Sequence, residues 1–262
     1  MSQYATLTLS DFTQLVARMT SARPLVHCMT NDVVQEITAD VLLASGASPA
    51  MIIAEEECVD FARVANGLLV NVGTIFPERV QSMIAAIETA NEQRKPWVLD
   101  PVAAGVLPWR DDVIDRLLTL RPTVIRGNAS EIMAIVGASA GGKGVDSLEE
   151  SVNAIAAARK LAQKVGCVVA VTGASDFVTD GEDVIEIPGG HVMATLVVGT
   201  GCSLSALVVA FCAACPCPLT ATAAALMLAK RAEEIAFKEA KGPGSFHVAY
   251  LDALYQISQG NY

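Results

Sequence analysis

A repeating pair of segments constrains this chain more than any other feature: a short unbroken apolar run, followed by a longer stretch with helical spacing. Pro24–Met29, Ala47–Ile53, Gly67–Gly73, Lys95–Val102, Pro122–Arg126 and Cys167–Gly173 are too short to be buried helices, and turn-forming residues bound them. Runs that are apolar on both sides belong to strands covered on both faces, which is the environment of a parallel sheet. Between them the spacing predicts helices at Ser10–Met19 (capped by Ser10 or Asp11), Val33–Leu43, Pro77–Glu92, Asp111–Thr119 and Glu149–Gly166, with another opening at Glu55-Glu56-Glu57. Asp176–Pro188 alternates instead and contains Asp180-Gly181, so it reads as an antiparallel hairpin at the sheet edge. Ser203–Ala214, Leu219–Ala240 and His247–Ser258 close the chain as helices. The expected architecture is α/β: a mostly parallel central sheet between two helical layers.

No linker, internal repeat or low-complexity run divides the 262 residues, so the expectation is one domain over 1–262. Apolar residues make up 52% and aromatics 5%, so small aliphatic side chains must fill the interior and a partner subunit is expected to cover surface. A formal charge of −10 argues against nucleic acid or an anionic membrane as partner, since both call for clustered Lys and Arg. The start of the chain lacks a signal-peptide pattern, and its seven cysteines are an odd number scattered among apolar residues; both suit a reducing cytoplasm. Leu204–Cys215 is too short to span a membrane, and Pro216 and Pro218 close it. Cys212-x-x-Cys215-x-Cys217 has no neighbouring His and reads as helix-end packing rather than a metal site.

Ligands of open parallel sheets sit at the carboxyl ends of the strands. Asn31 stands at such an end, either to hold a polar substrate atom or to cap the following helix. Asp100 ends another strand, where a carboxylate holds Mg²⁺ or, before Pro101, shapes a turn. Arg126 suits a phosphate, and Glu131 suits either a divalent cation or a capping box with Asn128. Thr172-Gly173 can reach a nucleotide phosphate. In Val197-Val198-Gly199-Thr200-Gly201-Cys202, two glycines lead into a long apolar helix whose first amides favour a phosphoryl group; at that position the pKa of Cys202 is expected to fall. Met51 fits core packing on general grounds. Gly141-Gly142-Lys143-Gly144 is a glycine-rich loop but not a Walker loop, because glycine follows the lysine. The first strand–helix turn lacks glycine, which argues against a dinucleotide-binding Rossmann enzyme.

Asn128-Ala-Ser-Glu131 resembles the N-x-x-E motif of ribokinase-like small-molecule kinases, and Gly199-Thr-Gly-Cys202 resembles their late G-x-G-D anion hole, with cysteine in place of the aspartate base. That cysteine, together with Pro24–Asp32, Gly46–Met51, Asp100-Pro-Val and Val124–Glu131, is similar to the bacterial hydroxyethylthiazole kinases of thiamine salvage. The resemblance implies a ribokinase-like three-layer α/β/α fold without a separate lid domain. It implies ATP-dependent phosphorylation of the hydroxyl of 4-methyl-5-(2-hydroxyethyl)thiazole with Mg²⁺, and a homotrimer with sites at subunit interfaces. By position, Met51 and Gly199 would contact the thiazole, Arg126 and Thr172 the ATP, and Cys202 the reacting hydroxyl. Asp100 and Glu131 would hold Mg²⁺.

Overall fold

The computed structural model describes residues 4–137 and 147–261; the Gly141–Gly144 loop lies outside the described residues. The chain runs α1 (Leu9–Ala22), β1 (Leu25–Met29), α2 (Gln35–Ala44), β2 (Ser48–Ala50), α3 (Glu55–Val64), β3 (Gly67–Asn71), α4 (Pro77–Glu92), β4 (Trp97–Asp100) and α5 (Pro108–Leu118). It continues through β5 (Val124–Asn128), α6 (Ala129–Ile135), α7 (Ser147–Val165), β6 (Val168–Thr172), β7 (Asp176–Thr179) and β8 (Val184–Ile187). A 3-10 turn (Val192–Leu196) then leads to α8 (Thr200–Ala214), α9 (Pro218–Glu239) and α10 (Pro243–Ser258).

The eight strands form one sheet in the order β2-β1-β3-β4-β5-β6-β7-β8. β1 to β6 are parallel and the β7–β8 hairpin is antiparallel, as the Asp180-Gly181 signal predicts. Side chains alternate between faces along each strand. In β3, Leu69 enters the core shared with α1, α2, α8, α9 and α10, whereas Leu68 and Val70 enter the core shared with α3 to α7. β5 divides in the same way, with Val124 in the first core and Ile125 in the second. This is the expected three-layer α/β/α arrangement. Among the described residues no helix is long and apolar enough to cross a membrane.

Two consequences position the site. From β1 the chain crosses to β2 on one side and β3 on the other, so a topological switch point lies between β1 and β3. Alternation also puts Asn71, Asp100 and Arg126 on the face that α8 covers, because each follows a residue of the opposite core: Val70, Leu99 and Ile125.

Several helix ends differ from expectation. Thr8, not Ser10 or Asp11, caps α1. α2 begins at Gln35 with no side-chain cap, because the Asn31 carbonyl Oδ1 accepts from Val33 N–H and is used up in the turn. α8 starts at Thr200, three residues before Ser203, since Gly199 supplies the left-handed turn ahead of it. β2 stops at Ala50, leaving Met51 beyond the strand. Cys212 is buried in α8 and Cys215 is buried at its end, as helix-end packing predicts, whereas Cys217, ahead of α9, is exposed.

Candidate active site

The first turn of α8 separates two compartments. Gly199 makes the turn possible: its φ is 91°, and a Cβ there would sit 2.5 Å from Ile37 Cγ2 and 3.0 Å from Val34 Cγ1. The first intrahelical bond runs from Ser203 N–H to Gly199 C=O, so the amides of Thr200, Gly201 and Cys202 precede the helical ladder. Thr200 and Gly201 line a cavity of about 630 Å³, a size that admits a nucleotide. Arg126 and Thr172 line it too, and Arg126 Nη2 donates to Thr172 Oγ1 at 2.7 Å. The guanidinium meets Gly201 through its terminal nitrogens, where a Cβ would come within 3.1 Å of Nη1 and 3.2 Å of Nη2.

The far wall of this cavity holds groups that the sequence pattern did not single out. Lys230, buried in α9, donates from Nζ to the carbonyls of Gly173 (3.2 Å), Ala174 (3.3 Å) and Gly189 (2.9 Å), and it pairs with Asp176 Oδ1 at 3.3 Å. One ammonium thus ties together the loops that follow β6 and β8. One turn further along α9, Glu233 accepts from His191 N–H at 3.1 Å, and burial raises its carboxyl to about 6. A lysine directly after the apolar run Ala223–Ala229 was the available signal, since a charge on an apolar helix face needs buried acceptors.

On the other side of the α8 turn, a chain of side chains runs from Cys202 into the sheet. Asn31 Nδ2 donates to Cys202 Sγ (3.5 Å) and to Asn71 Oδ1 (3.0 Å). Asn71 Nδ2 donates to Asp100 Oδ2 (2.8 Å), which also accepts from Ser205 Oγ (2.9 Å). Asn71 and Asp100 are register partners on β3 and β4, and Asn31 follows β1, so the chain crosses the switch point. Two arginines secure the loops around it. Arg79 bonds Asp32 and Thr74, and Arg110 bonds the carbonyls of Val102 and Gly73.

The thiol corrects one expectation. Burial pushes Cys202 up to about 11, the Asp100 carboxylate adds to the rise, and the donors of Asn71 and Asn31 and the charge of Arg126 only partly offset it. The thiol at this helix start is therefore raised rather than lowered, because burial outweighs the donors and the charge around it. Asp100 is 1% exposed and is raised to about 6, chiefly by burial; Arg126 opposes that rise and Glu131 adds to it. Among the described residues it forms no ion pair within 4 Å. Glu131 does form the capping box: Oε2 accepts from Asn128 N–H (2.8 Å), while Oε1 accepts from Ala103 N–H (2.9 Å).

The fold thus gathers Arg126, Thr172 and the Gly199–Gly201 turn at one end, and Asn31, Asp100 and Cys202 at the other. Met51 packs, partly buried, against the same core as Cys202, the one that α8 shares with α1, α2, α9 and α10. Asn71 and Ser205 went unread because each lies inside an otherwise apolar run.

Residues 16–260 match the hydroxyethylthiazole kinase family. The hydroxyethylthiazole kinase of Klebsiella pneumoniae (strain 342) is 55% identical over 237 residues, covering 90% of this chain and 92% of that protein. That of Escherichia coli (strain K12) is 52% identical over 236 residues, 90% of each chain. The solved hydroxyethylthiazole kinase of Pyrococcus horikoshii OT3 superposes with a TM-score of 0.89 at 39% identity, covering 97% of each chain. The pyridoxal kinase of Bacillus subtilis, solved as an ADP complex, shares the fold (TM-score 0.61, 18% identity, 80% of this chain and 91% of that one). Placed by these matches, the chain belongs to the hydroxyethylthiazole kinase family.

Proposed function

We propose that this chain, as a single kinase domain over 1–262, transfers the γ-phosphoryl group of ATP to the hydroxyl of 4-methyl-5-(2-hydroxyethyl)thiazole. The observation that carries the reading is the α8 turn, which borders a nucleotide-sized cavity through Thr200 and Gly201 and reaches Asn31 through Cys202. A phosphoryl group held at this turn would have the triphosphate on one side and the alcohol on the other.

Phosphoryl transfer asks a protein for alignment and charge stabilisation. Arg126, beside Thr172, would bear on the phosphates, with the α8 amides around the transferred group. Cys202 would orient the alcohol rather than deprotonate it, since a loose transition state asks little activation of the nucleophile, and the hydroxyl proton would pass to an oxygen of the transferred phosphoryl group. Asn31 would hold a polar atom of the alcohol substrate, and Gly199 and Met51 would contact the thiazole. The family resemblance implies a homotrimer with sites at subunit interfaces, where a partner subunit would complete the thiazole pocket.

Asp100 and Glu131 suit Mg²⁺: both offer hard oxygen atoms, and a buried carboxylate with no ion pair gains from a cation nearby. Bound there, Mg²⁺ would offset charge on the phosphate oxygens.

The test is incubation with ATP, Mg²⁺ and the thiazole alcohol, followed by ³¹P NMR. A phosphate monoester of the alcohol is expected; ATP turnover without that monoester would overturn the assignment. Comparing kcat for Cys202→Ala and Cys202→Asp with the parent then reports on the thiol. Equal turnover in all three would remove position 202 from the chemistry.

A further inference from the structure

Each carboxamide in the chain below Cys202 has its orientation fixed by a backbone donor. Asn31 Oδ1 accepts from Val33 N–H at 3.1 Å, so its Nδ2 must face Asn71 and the sulfur. Asn71 Oδ1 accepts from Gly73 N–H at 3.0 Å, so its Nδ2 must face Asp100. A flip of either amide would bring donor against donor, a cost of about 1–3 kcal/mol for each unmet buried group. Gly73 also closes the space beside them, since a Cβ there would stand 2.8 Å from Asn31 Cβ and Nδ2. Asn31 and Asn71 are 5% and 1% exposed, so water is not available to replace the missing bonds.

From this geometry we infer that Asn71 is a positioning residue for phosphoryl acceptance. It holds the Asn31 carboxamide so that an N–H enters the Cys202 sulfur, leaving the thiol hydrogen to face the substrate alcohol. Asp100 and Ser205 anchor the far end of the same amide chain in the sheet. Asn31 donates to the sulfur, and Asn71 donates to the carboxylate while its amide also bears on the sulfur. Loss of Asn71 therefore unseats Asn31 and affects the alcohol side, while the Arg126–Thr172 contact on the nucleotide side stays intact.

The kinetic consequence rests on the proposed reaction; the amide geometry does not. The experiment is a double-mutant cycle in the full chain with N31A, N71A and the pair, assayed with ATP, Mg²⁺ and the thiazole alcohol. N71A is expected to lower kcat/KM for the alcohol at least tenfold while KM for ATP stays within twofold of the parent. The pair should fall within twofold of N31A alone, because two residues acting as one unit are not additive. Activity of N71A within twofold of the parent, a rise in KM for ATP matching the loss toward the alcohol, or a pair whose loss is the product of the single losses would overturn the inference.

A second measurement needs no substrate and decides the amide chain even if the parent makes no monoester, a result that would sink the reaction alone. In protein labelled with ¹⁵N-asparagine, the Asn31 side-chain N–H signals should exchange with solvent at least 100-fold more slowly than a free carboxamide. They should exchange at least tenfold faster in N71A, or in N71S should N71A not fold. Free exchange in the parent, or no change in the variant, would also overturn the inference.

Discussion

Two buried aspartates stand on opposite sides of the α8 turn, and they differ in how their charge is met. Asp176 has the Lys230 ammonium at 3.3 Å, and that ammonium is itself saturated by three carbonyls. Asp100 has two neutral donors and no ion pair among the described residues. The first is a closed arrangement that holds loops in place. The second leaves negative charge in a dry place, which suits a site that receives a cation with its substrate. Burial alone does not distinguish these two acids; the presence of a resident counter-charge does.

The largest effect is expected from breaking the closed arrangement. Lys230→Met leaves the Asp176 carboxylate and three carbonyls without their partner, and should cost about 3–5 kcal/mol in denaturant unfolding. Replacing both partners with apolar residues should recover only the part due to the unmet carboxylate, since the three carbonyls and the Gly173 N–H stay unpaired; a double variant no more stable than Lys230→Met would refute the ion pair. Next comes the turn that both compartments share. Gly199→Ala forces an alanine to a φ of 91° and drives its Cβ into Ile37, so a loss of about 2–4 kcal/mol is expected, together with weaker binding of both substrates.

Asp100 should respond in the opposite sense to Lys230. Its folded pKa is raised to about 6, above the ordinary carboxylate value of 3.8. The stability it contributes is complete below about pH 4 and is lost as pH rises through about 6. In chelator at pH 7, Asp100→Asn should therefore be more stable than the parent by about 1–3 kcal/mol while losing turnover. The two proteins should converge at pH 4; a parent that outlasts the variant at pH 7 would contradict an unmatched charge. The smallest effect belongs to Glu233, half-buried and raised to about 6 from 4.5. Its share of stability is present below about pH 4.5 and fades through pH 6. Glu233→Gln should flatten that decline by less than about 1 kcal/mol, solvent screening allowed for. Unfolding curves taken at half-unit pH steps would resolve it.

The sheet and its strand-end residues were readable because short apolar runs and their boundaries are local facts. Asp100, Arg126 and Glu131 stood out as charged residues at the ends of such runs. Asn71 did not, because one amide closing the run Leu68-Leu69-Val70 is informative only when Asp100 is known to lie beside it. Lys230 was hidden for the same reason, its acceptors being some forty to sixty residues away in sequence. The pKa of Cys202 was misjudged in sign because a helix start is a local feature, whereas desolvation depends on what packs over it. Helix ends shifted by two or three residues where a turn consumed the expected cap, as at Asn31.

The pairing of Asn71 with Asp100 also ties assembly to competence. Displacing β3 by one position against β4 would bring Val70 or Val72 opposite the carboxylate and turn the carboxamide toward the wrong helical layer. A misaligned product could remain compact and rich in secondary structure, yet its catalytic wiring would be severed. Recovered turnover after refolding therefore audits strand alignment more stringently than circular dichroism can.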